Sequence, residues 1–349
     1  MANIKLQTVN QSLQLHEYAK KTLPTFHKEI YKFICETTNY DFLRNAAVYS
    51  LGIGSANAAQ QGKRIRPILG LLLGEKMGVA PSTLMPFAIA NEIFHSFLLI
   101  HDDIENNDEI RRNRPAVWVK YGKAHGINIG DYLYSKSFEA LLQLENKVSA
   151  PTLIKLMKLF NTVSLYTGEG QAMDLDAEQA HTINLKTYID IVLKKTGYYM
   201  SLPIVGSAIL AQESKDTQDK LAEFGKSVGI AFQIIDDIVD VFEEKGRPIG
   251  SDIRSGSKSI IVIYTLKNCT NFERKKLVNI LQKKREETLD SEINWSIKLF
   301  HKHKAIEFAK DLARQKIKSA QKFCGQVPKT LQDPLQQVTT YMLNKLHKI

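Results

Sequence analysis

Cysteine, proline and glycine are all scarce in this chain. Its three cysteines, Cys35, Cys269 and Cys324, are odd in number, far apart and without metal-ligand spacing. That excludes a disulfide framework and suits a reducing, cytoplasmic setting with ordinary thiols. Ten prolines and 19 glycines in 349 residues leave few breaks: Gly62, Gly78 with Pro81, Gly122 with Gly126 and Gly130, Gly246 with Pro248 and Gly250, and Gly325 with Pro328. None opens a linker, so a single domain over residues 1–349 is expected. No positively charged start precedes an apolar block in MANIKLQTVNQSLQLHEYAKK, and no uninterrupted apolar run reaches spanning length. A soluble protein without a membrane span is therefore expected.

Strand-like alternation is nearly missing as well, while apolar residues recur at three and four almost throughout. The fold class expected is all-α. With 44% hydrophobic residues a sizeable core can be buried. Two helices are legible in detail, one from near Ser82 to Asp103 and one from Leu221 to Phe242. The first is apolar on nearly every face, which marks a central helix, and both carry acids toward one end. The formal charge of +10 admits nucleic acid, an anionic surface or a polyanionic substrate. Much of it sits in Arg274-Lys275-Lys276, Lys283-Lys284-Arg285 and Lys302-His303-Lys304, alternating with apolar residues at helical spacing. Those runs read as solvated helix faces, and no groove-reading motif supports nucleic acid.

The acidic ends carry the chemistry. His101-Asp102-Asp103-Ile104-Glu105-Asn106-Asn107-Asp108 ends the first helix, and Gln233-Ile234-Ile235-Asp236-Asp237-Ile238-Val239-Asp240 the second. Like charges at the ends of buried segments repel unless cations sit among them. Asp236 and Asp240 are one turn apart and share a face, with Asp237 about 100° around. Magnesium suits such a pair, because it takes one or two carboxylates plus phosphate oxygens. A lone DDxxD is more often a solvated helix face; two, each ending a buried helix, reverse that reading. Cations stand close by: Lys63, Arg64 and Arg66 in GKRIRP before a helical run from Ile68, and Arg111-Arg112 after the first acids. Arginine forks match phosphate oxygens in pairs. Acid for metal and base for phosphate together point to a diphosphate, although Arg111 and Arg112 could instead pair on the surface with Asp108 and Glu109.

At this point the sequence resembles the trans-isoprenyl diphosphate synthases, the polyprenyl synthetase family that makes farnesyl, geranylgeranyl and longer diphosphates. The segments occur in the family's order: GKRIRP (Gly62 to Pro67), EIFHSFLLIHDD (Glu92 to Asp103), RRNRP (Arg111 to Pro115), GEGQAMDLD (Gly168 to Asp176), KTG (Lys195 to Gly197), FQIIDDIVD (Phe232 to Asp240) and GSDIRSGSKS (Gly250 to Ser259). They span roughly residues 60 to 265.

The resemblance implies an isoprenoid synthase fold, a large helical bundle around a central cavity, working as a homodimer. It implies three magnesium ions, two on the Asp102-Asp103 cluster and one on Asp236, Asp237 and Asp240, clamping an allylic diphosphate. Lys195, Arg111, Gln233 and Lys258 would bind that diphosphate. Lys63, Arg66, His95 and Arg112 would serve isopentenyl diphosphate, with Arg64 a further substrate-binding residue; His95 alone would read as a buried structural histidine. Thr196 and Gln171 would lie beside the reacting carbons, and Asp174 would orient Lys195 or the metal shell. Phe97 and Leu98, with Phe94 one turn deeper, would limit product length, pointing to C20 and next to C15; the bland reading makes both phenylalanines ordinary core.

The sequence departs from the pattern in three places. Asn106 stands at the last acidic position of the first motif, so the charge there would come from Glu105. Asn113 replaces a glycine, which an asparagine tolerant of the left-handed region can do. Ser257 replaces a lysine, with Lys258 next to it. A terpene cyclase of the same fold needs no second diphosphate site and so leaves Lys63, Arg66, His95 and Arg112 idle. A non-catalytic partner subunit of a heteromeric synthase would explain Asn106 and Ser257 but not the intact remainder.

Overall fold

A computed structural model describes residues 2–55, 58–242 and 249–349, so the breaks at Gly246 and Pro248 lie outside the described residues. Among the described residues the regular structure is helical except for one antiparallel pair, Ile110–Arg111 with Arg114–Pro115. The all-α expectation holds. That two-residue pairing is too short to show as alternation in sequence. Its turn residues, Arg112 and Asn113, have φ of 55° and 58°, the left-handed geometry of a tight hairpin turn.

The chain divides into two compact units. One comprises Met1–Asn161, Leu202–Asp219 and Val327–Gln337; the other comprises Thr162–Ser201, Lys220–Gln326 and Val338–Ile349.

In the first unit, the helix Pro81–Glu105 starts with Pro81, whose missing N–H costs nothing in a first turn. Its Phe87, Ala90, Ile93 and Phe94 are at most 1% exposed, as an all-apolar helix requires. By length and a mean hydropathy of 1.4 it could cross a membrane, yet 67% of its most apolar window is buried inside the protein, as in a core helix. The helix Ile65–Lys76 begins earlier than the expected Ile68, directly after Arg64. Gly126 and Gly130, read as breaks, lie inside the helix Lys123–Leu142. A Cβ on Gly130 would stand 2.2 Å from His101 Nε2, and one on Gly126 2.9 Å from Trp118 Cβ. Both glycines are there for close packing; the break is Gly122, at φ 88°.

In the second unit, Ile234, Ile238 and Val239 of the helix Lys215–Phe242 are fully buried, as are Ile260 and Ile261 of the helix Ile260–Asn268. Ser259 caps the latter by accepting from the Val262 N–H. Tyr264 stacks on Phe308 of the helix Ala305–Cys324, ring centroids 4.1 Å apart. Leu193–Gly197 forms a π-helical turn directly after the helix Leu185–Val192. An extra residue in a turn of this kind often marks a functional site.

Candidate active site

The first acidic cluster sits on the last turn of Pro81–Glu105. Consecutive helical residues differ by about 100°, so Asp102 and Asp103 cannot share a direction. The Asp102 side chain is 24% exposed, whereas that of Asp103 is 3% exposed and held by Arg111. Arg111 donates from Nε to Asp103 Oδ1 at 2.7 Å, and its Nη2 reaches Asp102 Oδ2 at 3.4 Å and Asp108 at 3.6 Å. Its acids thus include Asp102 and Asp103 as well as the expected Asp108. Burial lifts the Asp103 carboxyl to about 6 against the pull of Arg111. Asp103, expected as a ligand, is the internal anchor of Arg111. Asn106 caps the helix and donates from Nδ2 to Asp102 Oδ1 at 3.2 Å, while Glu105 is exposed.

Beside this cluster lies a nest of cations. Arg64, at φ 49°, is 3% exposed; it pairs with buried Glu92 and donates to the Leu51 carbonyl. Arg64 is thus engaged as a pin of the Gly62-Lys63-Arg64 turn, whereas it was expected to meet a phosphate. Lys63 is exposed and Arg66 half-buried. Gly62, at φ 77°, has no room for a Cβ because the Arg112 guanidinium would lie 2.8 Å away. Arg112 Nη1 is buried with no hydrogen-bond partner among the described residues. Burial, with Arg64, Arg111 and Arg114 nearby, lowers Arg112 to about 10. Burial and then Arg66, Arg112, Arg64 and Arg111 hold His95 well below the usual histidine range, so it is neutral.

The second unit repeats the outward-inward division. Asp236 is 35% exposed, whereas Asp237 is 5% exposed. Asp237 Oδ2 accepts from the Tyr188 hydroxyl at 2.8 Å and from the Ile260 N–H at 3.1 Å, and Oδ1 accepts from Gln233 Nε2 at 3.1 Å. Burial, then the charge of Asp252, raises Asp237 to about 7. A carboxylate so engaged holds helices together and is directed inward, whereas Asp237 was expected as a metal ligand. Asp240 Oδ2 accepts from the Asp252 N–H at 3.1 Å. Lys258 is 5% exposed and donates to the carbonyls of Gly256 at 2.7 Å and Glu178 at 3.1 Å. It is thus part of the loop's interior, whereas it was expected to meet the allylic diphosphate.

Lys195 and Thr196 sit in the π turn. Lys195 Nζ donates to Asp174 Oδ2 at 2.8 Å, and Thr196 Oγ1 donates to Gln233 Oε1 at 3.2 Å. Two glycines permit this. A Cβ on Gly170 would lie 2.4 Å from the Lys195 nitrogen, and one on Gly229 2.7 Å from Gly197 Cα. Gln171 is half-buried on the helix Ala150–Gln179, next to Gly170.

Below Asp102, aromatic rings close the first unit. Phe97 lies 4.8 Å from His101, 5.1 Å from Tyr134 and 5.6 Å from Phe94 by ring centroids. Phe94 is 1% exposed and abuts Phe160 at 5.0 Å, so it is core, while Phe97 and Leu98 are half-buried. Tyr134 packs in turn on Phe138, ring centroids 5.3 Å apart.

Among the described residues no three His, Cys, Asp or Glu side chains converge as a metal site. Magnesium needs only one or two carboxylates plus substrate phosphate oxygens. The outward carboxylates of Asp102 and Asp236 are hard oxygen donors of that kind, so the residues present fit the ion.

Tyr188 and Tyr134 escaped sequence reading because nothing local marks a tyrosine as a partner of a distant side chain. Glu92 carried a signal: an acid inside a helix apolar all round needs a buried cation.

The sequence profile of the family described as "Polyprenyl synthetase" matches residues 51–297. The chain is 37% identical over 257 residues to "Geranylgeranyl diphosphate synthase" of Saccharolobus solfataricus, covering 73% of this chain and 76% of the relative. It is 36% identical over 273 residues to "Short chain isoprenyl diphosphate synthase" of Methanocaldococcus jannaschii, covering 77% and 79%. Its fold matches the crystal structure of geranylgeranyl pyrophosphate synthetase from Pyrococcus horikoshii with a TM-score of 0.83 at 29% identity, covering 95% of this chain and 98% of that one. With the profile spanning most of its length and both relatives covered beyond two thirds, the chain belongs to the polyprenyl synthetase family.

Proposed function

We propose that this protein is a magnesium-dependent prenyltransferase that condenses isopentenyl diphosphate with an allylic diphosphate to a short-chain prenyl diphosphate, geranylgeranyl first and farnesyl next. The observation that carries the reading is the cation nest of the first unit, where Arg112 holds a buried guanidinium nitrogen with no hydrogen-bond partner among the described residues, beside a neutral His95. Cations gathered and desolvated in this way are stabilised by a polyanion. Arg66, His95, Arg112 and exposed Lys63 suit the diphosphate of isopentenyl diphosphate, a site that a terpene cyclase does not need. Arg111 and Lys195 suit the allylic diphosphate, each kept in place by an aspartate.

Magnesium, three ions in this reading and held through Asp102, Asp236 and Asp240, supplies Lewis-acid neutralisation of the leaving diphosphate. The chain's own residues do the rest. Arg111 and Lys195 add positive charge where the allylic C–O bond breaks and its electron pair passes to the diphosphate. Dipoles of Thr196 and Gln171 face the allylic cation, and the isopentenyl double bond supplies the electrons of the new C–C bond. The released diphosphate takes the proton whose loss restores a double bond. Apolar walls exclude water that would trap the cation as an alcohol. Phe97 on its aromatic support limits chain growth, in keeping with relatives named for a C20 product. The whole chain would act as one catalytic domain.

Exposed Ile127, Ile154 and Leu165, at 45%, 52% and 61%, suit burial in a homodimer, measurable by light scattering. Three free thiols suit a cytoplasmic protein.

The test is purified protein with magnesium, isopentenyl diphosphate and, separately, dimethylallyl, geranyl and farnesyl diphosphates, products being resolved by length. Folded protein that condenses none of the primers refutes the enzyme reading and favours a non-catalytic partner subunit. Glu105→Gln is expected to raise the half-saturating magnesium concentration; an unchanged value removes Glu105 from the metal shell.

A further inference from the structure

The C-terminal helix Lys329–Lys348 delivers a lysine to the second acidic cluster. Lys345 Nζ donates to Asp236 Oδ1 at 3.2 Å and stands 5.4 Å from the centroid of the Phe232 ring. Phe232 precedes Asp236 by one helical turn on Lys215–Phe242, so ring and carboxylate share a face and frame the ammonium together. The contact falls on the outward aspartate and leaves the inward Asp237 to its own partners. Asp236 is thus already satisfied by a cation that belongs to the chain.

An ammonium and a divalent ion set against one carboxylate each weaken the other's hold, because like charges at close range repel wherever water is partly excluded. Lysine is suited to yielding, since its charge rides on a flexible four-carbon stem. The pair is 21% and 35% exposed, so it is weak enough to be exchanged.

We propose that Lys345 is a positioning residue that occupies the charge site of the divalent ion at Asp236 in the metal-free protein, so that metal loading and docking of the C-terminal helix compete. The proposal rests on the reading of Asp236 as a metal ligand. Lys345 keeps the Asp236 side chain in one orientation until the ion arrives, and it is displaced when the ion binds.

The experiment titrates the full chain with Mn2+ alone, following free Mn2+ by paramagnetic resonance, in wild type, Lys345→Met, Lys345→Arg, Lys348→Met and Asp236→Asn. Exposed pairs of this kind correspond to an effect of up to about fivefold in an equilibrium constant. Lys345→Met is therefore expected to bind Mn2+ two- to fivefold more tightly, roughly, while Lys345→Arg stays at the wild-type value. Lys348→Met makes the same charge change at an exposed position one turn or less away and is expected to bind as wild type. Deuterium exchange over residues 338–349 should rise on adding Mn2+ to wild type and not to Lys345→Met. Equal tightening in Lys345→Met and Lys348→Met, or C-terminal exchange indifferent to Mn2+, overturns the proposal and leaves Asp236 as a ligand untouched. Unchanged Mn2+ affinity in Asp236→Asn overturns the ligand reading itself and the competition with it.

Discussion

Asp237 is the sharpest place to separate a carboxylate that holds the fold from one that meets the ion. Replacing it with alanine removes the acceptor of the Tyr188 hydroxyl and the Ile260 N–H, both inside the protein, since Tyr188 is 4% and Ile260 0% exposed. Each orphaned donor costs about 1–3 kcal/mol, so Asp237→Ala is expected to lose roughly 2–6 kcal/mol. A folded protein has only about 5–15 kcal/mol in hand. Asp237→Asn keeps the size and one acceptor oxygen for those two donors. Its amide nitrogen then faces Gln233, whose own amide can turn over; Thr196 Oγ1, now a donor to Gln233 Oε1, becomes the acceptor. The asparagine variant is expected to stay within about 1 kcal/mol of wild type. It should also lose less than about tenfold in activity, toward the mild end for partners that only orient a ligand, whereas Asp236→Asn should lose more than about 100-fold. Equilibrium urea unfolding and product formation against magnesium concentration measure the two effects. A folded Asp237→Asn variant as inactive as Asp236→Asn, or an Asp237→Ala variant as stable as wild type, refutes the reasoning.

Phe97→Ala opens the aromatic floor beside Tyr134 and is expected to shift the product distribution to longer chains; an unchanged length on product chromatography places the floor elsewhere. Gly229→Ala sets a Cβ 2.7 Å from Gly197 Cα and 2.8 Å from the Thr196 carbonyl, backbone that cannot step aside, and should cost about 1–3 kcal/mol with loss of activity. Gly168→Ala, with nothing among the described residues within 4 Å of its Cβ, is the control, and equal unfolding midpoints for the two would refute the close-crossing argument. Glu273, paired with Lys302 and closing a capping box with Thr270, is held at about 2, below its free value of 4.5. Its contribution is therefore full above about pH 4.5 and lost as the pH falls toward 2. Glu273→Gln should narrow the stability gap to wild type over that acid range, and a gap independent of pH would exclude Glu273 as the cause.

Helix content, the two acid-bearing helices and the order of the cation motifs were legible because each is local: a period, a spacing, a run of residues. Inside each motif the division of labour was not. GKRIRP shows three cations, but only Glu92, far along the chain, makes Arg64 a buried pin. The two Asp-Asp pairs look uniform in sequence, and burial alone separates Asp102 from Asp103 and Asp236 from Asp237. Gly126 and Gly130 read as breaks because sequence shows a missing side chain without showing what fills its place, here Trp118 and His101. Lys258 matched a motif position, yet two backbone carbonyls fold its ammonium inward.

The π turn Leu193–Gly197 amounts to a stored insertion. Deleting one of its residues, Lys194 for instance, would let the chain close as an ordinary α-helix without any new loop. Helix content would hardly change, and a spectrum of the variant would look native. Residues beyond the turn would keep nearly their present phase, since a π turn spends one extra residue on about the same advance, and only the residues inside it would be re-aimed. Lys195 would be re-aimed relative to Asp174, and Thr196 relative to Gln233. Length variation at this point is silent in the amount of helix and decisive in the aim of these two side chains, so the count of residues between Val192 and Tyr198 is as much a determinant of the site as their identities.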